Sequence, residues 1–151
     1  MQKARSYAFL LLKFRLRSEH ELYERLKKRF EEGVIKDALG FLKEKNFIND
    51  TLFAKTWIES RLKKPFGLRR LKEELKVKGI NKETIDSQIS EIKKNYSESE
   101  IVEKITKERL NKLKNIDPQK AKMRVYGYLL RRGFSPEIVS QAISQSCRRS
   151  S

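Results

Sequence analysis

A single cysteine, Cys147, cannot close an intramolecular disulfide, so packing alone must hold the fold and a reducing compartment is expected. Three prolines and six glycines are too few for an all-β chain with many tight turns. The only histidine, His20, excludes a His-based metal cluster, and it denies Cys147 a His pair with a second supporting His. Neither GxxxxGK[ST] nor GxGxxG occurs, so no glycine-rich phosphate loop is present. No apolar run approaches the roughly 20 residues that span a membrane. The short run Phe9–Leu12 is followed at once by Lys13 and Arg15 and lacks the apolar core of a secretory leader. A cytoplasmic, untargeted chain with no catalytic or metal site and no cofactor is the expectation. Acids are scarce as well, with 20 against 36 bases and a net charge of +16. Such an excess favours a polyanionic partner or an acidic protein surface.

What is abundant is helix-forming material. Charged residues make up 37% of the 151, mostly Lys, Arg and Glu. The stretch YLLRRGFSPEIV, Tyr128 to Val139, reads as helix, stop, restart. Gly133 takes the left-handed conformation without a Cβ clash, and Arg131 and Arg132 suit the negative helix end. Ser135 can cap the next helix and Pro136 suits its first position.

That grammar recurs. Anchored on Phe30, Ile80 and Phe134, three segments carry Ile35, Ile85 or Val139 five residues on, and Leu39, Ile89 or Ile143 nine residues on. Leu71 and Leu75, or Val125 and Leu129, stand upstream of the second and third anchors. Leu22 and Leu26 stand one residue closer to the first, and Arg29 replaces the glycine there, which predicts a shortened turn. Further helices are predicted from Asn49-Asp50 through Phe53, Ala54, Trp57 and Ile58 to Pro65, and after Ser97, where Ser97 and Glu100 have capping-box spacing. Ser18 and Glu21 have the same spacing. The spacing places Phe53 and Trp57 in the core.

The expected fold is therefore all-α, an elongated tandem array of three three-helix repeats. The expected boundaries are 1–64 (an opening helix plus the first repeat), 65–116, 117–145 and a disordered tail 146–151.

Helical spacing also sorts the bases. Lys120, Arg124, Gly127 and Arg131 share a stripe away from Val125 and Leu129, while Arg69, Lys72 and Lys76 form one away from Leu71 and Leu75. Residues 117–151 hold seven bases and two acids, the steepest local imbalance. The candidate binding residues are Arg69, Arg70, Lys72, Lys76, Lys120, Arg124, Arg131 and Arg132, with Arg132 nearer the buried side.

Specific residues then resemble a known family. Phe47-Ile48, Asp50, Phe53-Ala54, Arg61, Gly67, Leu71, Leu75 and Lys78-Gly79-Ile80 follow in order the pattern of the RecX regulatory proteins. Leu129-Leu130-Arg131-Arg132-Gly133-Phe134 and Arg17-Ser18-Glu19-His20-Glu21-Leu22 extend the match to roughly residues 4–145. The resemblance implies an elongated array of three-helix repeats that binds within the groove of the RecA filament on DNA. It also implies inhibition of recombinase and coprotease activities, and no catalysis. A monomer is expected. A direct DNA-binding protein, built of helix-turn-helix-like units on single- or double-stranded DNA, is the competing reading.

Overall fold

In a computed structural model that describes residues 2–149, the pattern resolves into nine helices among the described residues, with no strand. They are α1 (Gln2–Phe14), α2 (Glu19–Lys27), α3 (Glu32–Glu44), α4 (Asp50–Arg61), α5 (Leu68–Val77), α6 (Lys82–Lys93), α7 (Glu98–Lys112), α8 (Pro118–Arg131) and α9 (Pro136–Arg149).

The helix starts are where side-chain chemistry places them. Ser18 and Glu21 close a full capping box on α2. Ser97 caps α7 and Asp117 caps α8, each by accepting from the third amide of its helix, and Pro118 occupies the first turn of α8. Asn49 caps α4 by accepting from the Leu52 amide.

Two helix stops are closed by glycine. Gly79 (φ 78°) and Gly133 (φ 93°) are left-handed. The Ile80 amide reaches Leu75 O at 3.1 Å and the Phe134 amide reaches Leu129 O at 3.2 Å. These six-residue closures are Schellman motifs. The first turn instead closes with Phe30 N–H to Leu26 O at 2.9 Å, one residue tighter, as its missing glycine predicts.

The chain forms two compact units, Met1–Ser60 with Glu74–Gln88, and Arg61–Glu73 with Ile89–Ser151. In the first, Ala4, Ala8 and Leu11 of α1 pack with Leu22, Leu26, Ile35, Ala38, Leu39 and Leu42 of α2 and α3. In the second, Val102 of α7 packs with Val125 and Leu129 of α8, Phe134 of the turn, and Val139 and Ile143 of α9.

These cores shift the repeat boundaries from those expected. In both of these cores the helix covering the turn-joined pair precedes it in the chain. Thus α1 belongs to the first repeat rather than opening the array, and α7 begins the third repeat rather than closing the second. The turn motif marks the pair but carries no information on which neighbouring helix buries it. The expected disordered tail also changes. Helix α9 runs through Arg149, because Ala142, Ile143 and Cys147 continue its inner face. Ser150 and Ser151 lie outside the described residues. Phe53 is buried, while Trp57 is half-buried, stacked on Phe53 and donating its indole N–H to Glu74.

One joint occurs twice. The start of α2 meets the turn after α5: Ser18 Oγ donates to Lys78 O at 2.7 Å, and a Cβ on Gly79 would fall 2.3 Å from His20 Cβ. The start of α5 meets the turn after α8 in the same way: Gly67 N–H donates to Arg132 O at 2.7 Å, and a Cβ on Gly133 would fall 2.2 Å from Arg70 Cβ. A carboxylate on the first residue of the second helix downstream then caps each start from outside. Asp50 of α4 accepts from Glu19 N–H, and Glu98 of α7 accepts from Leu68 N–H. The glycines of the second and third turns are therefore required twice, for positive φ and for close approach. At the first turn Arg29 stacks over Tyr7 of α1 instead, 4.4 Å from the ring centre.

Glu21 ties the first joint together. Partial burial alone would raise its pKa. Hydrogen bonds from Arg15, the Ser18 amide and Lys78 overcome this and hold the carboxyl down to about 2. An unfolded carboxyl titrates near 4.5, so this contribution is complete above that pH and is lost as pH falls towards about 2. Glu21→Gln is expected to cost about 2 kcal/mol at neutral pH, after allowance for the solvent-exposed Arg15. Urea unfolding against pH checks this. The variant should lose most of its acid-limb slope below pH 4.5, and an unchanged limb would refute the assignment.

Candidate functional site

Helix α8 presents its cations because its apolar positions leave no alternative. Ala121, Val125 and Leu129 are buried, which turns Lys120, Arg124 and Arg131 outward, where they are exposed. Among the described residues, no carboxylate lies within ion-pair distance of these three. Gly127 gives Arg131 room to lie along the helix: a Cβ there would stand 3.1 Å from Arg131 Nη1. Beside them is a pocket of about 350 Å³ lined by Arg109, Leu113, Met123, Arg124, Val125, Tyr128 and Arg131. The Arg109 guanidinium lies over the Tyr128 ring, 3.4 Å from its centre.

On α5, Arg69 is exposed and Lys72 half-buried. Both line a groove of about 510 Å³ with Lys93, Tyr96, Ser97 and Ser135. Burial pushes the Tyr96 phenol up to about 12, so it stays neutral and donates to Phe66 O at 3.2 Å. The Ser135 hydroxyl donates to Glu137 at 2.7 Å and, with a backbone amide and the field of Arg69, holds that carboxyl below its usual range.

Arg70 and Arg132 have a different setting. Together with Arg61 they surround the buried Phe66, at 4.3, 4.9 and 4.2 Å from the ring centre. Arg132 also lies 5.2 Å from the Tyr128 ring centre. Each such cation–π contact is worth about 0.5–2 kcal/mol, rising with desolvation. These two arginines therefore support the joint at Gly67 and Gly133 as well as contributing charge. Lys76 is exposed on the last turn of α5 and falls in the other compact unit.

The eight sequence-derived candidates thus divide. Arg124 and Arg131 share the α7–α8 pocket, Arg69 and Lys72 share the α5 groove, and Arg70 and Arg132 share one aromatic ring. Lys120 and Lys76 stand apart from those three sets. Arg109 was not among the candidates. Residues 97–116 carry five bases and four acids, and that near-balance hides one arginine aimed at α8. Its position one helical turn before Leu113 was the available clue.

His20 is exposed on α2, with Glu24 3.9 Å away. Among the described residues, no three His, Cys, Asp or Glu side chains are grouped to hold a metal. No helix among them is long and apolar enough to cross a membrane.

Comparison with known proteins gives one consistent answer. The family descriptions "RecX, first three-helix domain", "second three-helix domain" and "third three-helix domain" match residues 4–42, 49–87 and 97–143. Those ranges open with α1, α4 and α7, the same grouping as the cores at either end. "Regulatory protein RecX" of Clostridium beijerinckii is 32% identical over 146 residues, covering 95% of this chain and 68% of that protein. "Regulatory protein RecX" of Amycolatopsis mediterranei is 32% identical over 150 residues, covering 97% and 85%. The crystal structure of RecX from Lactobacillus salivarius superposes with a TM-score of 0.82 at 19% identity, covering 95% of this chain and 94% of that one. At that identity it speaks for the fold.

Proposed function

Because this chain belongs to the RecX family of regulatory proteins, we propose that it binds the RecA filament on DNA and inhibits its recombinase and coprotease activities. It does so as a non-catalytic monomer in the cytoplasm, modulating DNA repair, recombination and the SOS response. The observation that carries this reading is the row of exposed cations on α8 without a carboxylate partner among the described residues, in a chain of net charge +16. Exposed like charges repel one another and favour a surface that supplies the opposite sign. A filament of protein on DNA offers both phosphates and carboxylates.

The test is RecA ATP hydrolysis on single-stranded DNA, titrated with this protein. Suppression well below one copy per RecA monomer is the expected result. No suppression, combined with tight RecA-independent binding to bare DNA, would replace this reading with direct DNA binding by the helix pairs α2–α3, α5–α6 and α8–α9.

A further inference from the structure

The pocket between α7 and α8 combines two properties. Its lining mixes apolar side chains, Leu113, Met123 and Val125, with three guanidiniums, Arg109, Arg124 and Arg131. Exposed cations around a hollow repel one another, and a bound anion relieves that repulsion. Met123 is 73% exposed, an unbranched thioether that can repack around an entering group. The volume of about 350 Å³ suits one large apolar side chain with its neighbours, at the small end of ligand pockets.

The anion is better a carboxylate than a nucleotide. A base would need an open aromatic face to stack on. The one ring in the pocket, Tyr128, already carries Arg109 at 3.4 Å. Arginine's planar fork matches a carboxylate in two parallel hydrogen bonds. The Arg131 guanidinium lies close to α8 at Gly127, with Nη1 3.1 Å from where a Cβ would stand.

We propose that this pocket takes a short acidic–hydrophobic segment of a partner protein. An apolar side chain enters over Leu113, Met123 and Val125, and a flanking Asp or Glu is held by Arg124 and Arg131. This deepens the function proposed above and rests on its premise that the α8 face meets a protein partner.

The test uses the full chain and fluorescein-labelled short peptides in which Asp and Glu flank one Phe, read by fluorescence anisotropy near physiological salt. Binding is expected to weaken about tenfold when Phe is replaced by Ser in the peptide, and about tenfold in Arg124→Gln, as lost apolar and charge-assisted contacts predict. Arg131→Gln is the second variant. It should leave the thermal midpoint within about 2 °C, because the side chain is exposed, yet weaken binding severalfold. Lys36→Gln, exposed on α3 in the other unit, is the charge-matched control and should bind as wild type. Peptide binding indifferent to Phe or to Arg124 would overturn the proposal. So would a silent peptide with oligothymidylate captured through the same arginines. The two readings fail separately: peptide capture without RecA suppression refutes the filament role, and suppression that survives Arg124→Gln and Arg131→Gln refutes the pocket.

Discussion

Gly67→Ala is expected to lower the unfolding free energy by about 3–5 kcal/mol and the thermal midpoint by roughly 10 °C. The added Cβ would sit 2.2 Å from both the carbonyl carbon and the oxygen of Gly133, and 2.4 Å from the Phe134 nitrogen. All three are backbone atoms, pinned by the Schellman closure of α8, so no side chain can swing aside. The start of α5 would have to lift away, breaking the 2.7 Å bond from Gly67 N–H to Arg132 O. The Arg132 carbonyl would lose this partner as well. Gly133→Ala should be comparable: its φ of 93° disfavours any Cβ, and Arg70 N lies 2.7 Å from where that atom would stand.

The contrast within the same protein is Gly40→Ala in the middle of α3. No atom lies within 4 Å of a Cβ there, so the change should stabilise by about 0.5–1 kcal/mol through helix propensity alone. Urea unfolding of the three variants side by side measures both signs. If Gly67→Ala behaved like Gly40→Ala, the joint between α5 and the α8–α9 turn would not be closed in solution.

The second large effect concerns function and should leave stability untouched. Reversing Arg124 and Arg131 to Glu together is expected to raise the concentration needed to suppress RecA ATP hydrolysis by about a hundredfold. Each reversal removes two units from a net charge of +16, in the region where acids are scarcest. Both side chains are exposed and without a carboxylate partner, so the thermal midpoint should move by no more than about 2 °C. Salt provides an independent check. Suppression by the wild type should weaken as ionic strength rises, and the double variant should show a shallower dependence. Full suppression by the variant would mean that this face is solvated surface and that the partner is met elsewhere.

The two effects show why arginines from one sequence motif have different roles. Arg131 and Arg132 are neighbours in Leu-Leu-Arg-Arg-Gly-Phe. Arg131 points out over Gly127, whereas Arg132 lies over Phe66 and lends its carbonyl to Gly67. Arg132→Ala should therefore act chiefly on stability, and Arg131→Ala chiefly on binding. Helical spacing alone separated them only in part, by placing Arg132 nearer the buried side.

Much of the molecule is determined locally by the order of its residues. Ser18, Ser97 and Asp117 start helices, Gly79 and Gly133 end them, and apolar spacing sets the inner face of α8. Each depends on contacts within a few residues, which a linear pattern carries in full. The threefold recurrence of helix, turn and helix, and the ordered motifs of the RecX family, are legible for the same reason. What only the tertiary structure decided depends on contacts between residues far apart in the chain. It grouped α1 with α2 and α3, and α7 with α8 and α9, because burial and not turn grammar selects the third helix. It gave Asp50 a cap on α2 in addition to its place on α4, and it brought Phe66 and Gly67 to Arg132 and Gly133. It set Arg109 over Tyr128. A pocket rim is a property of side chains meeting from separate helices, and no spacing within one helix encodes it.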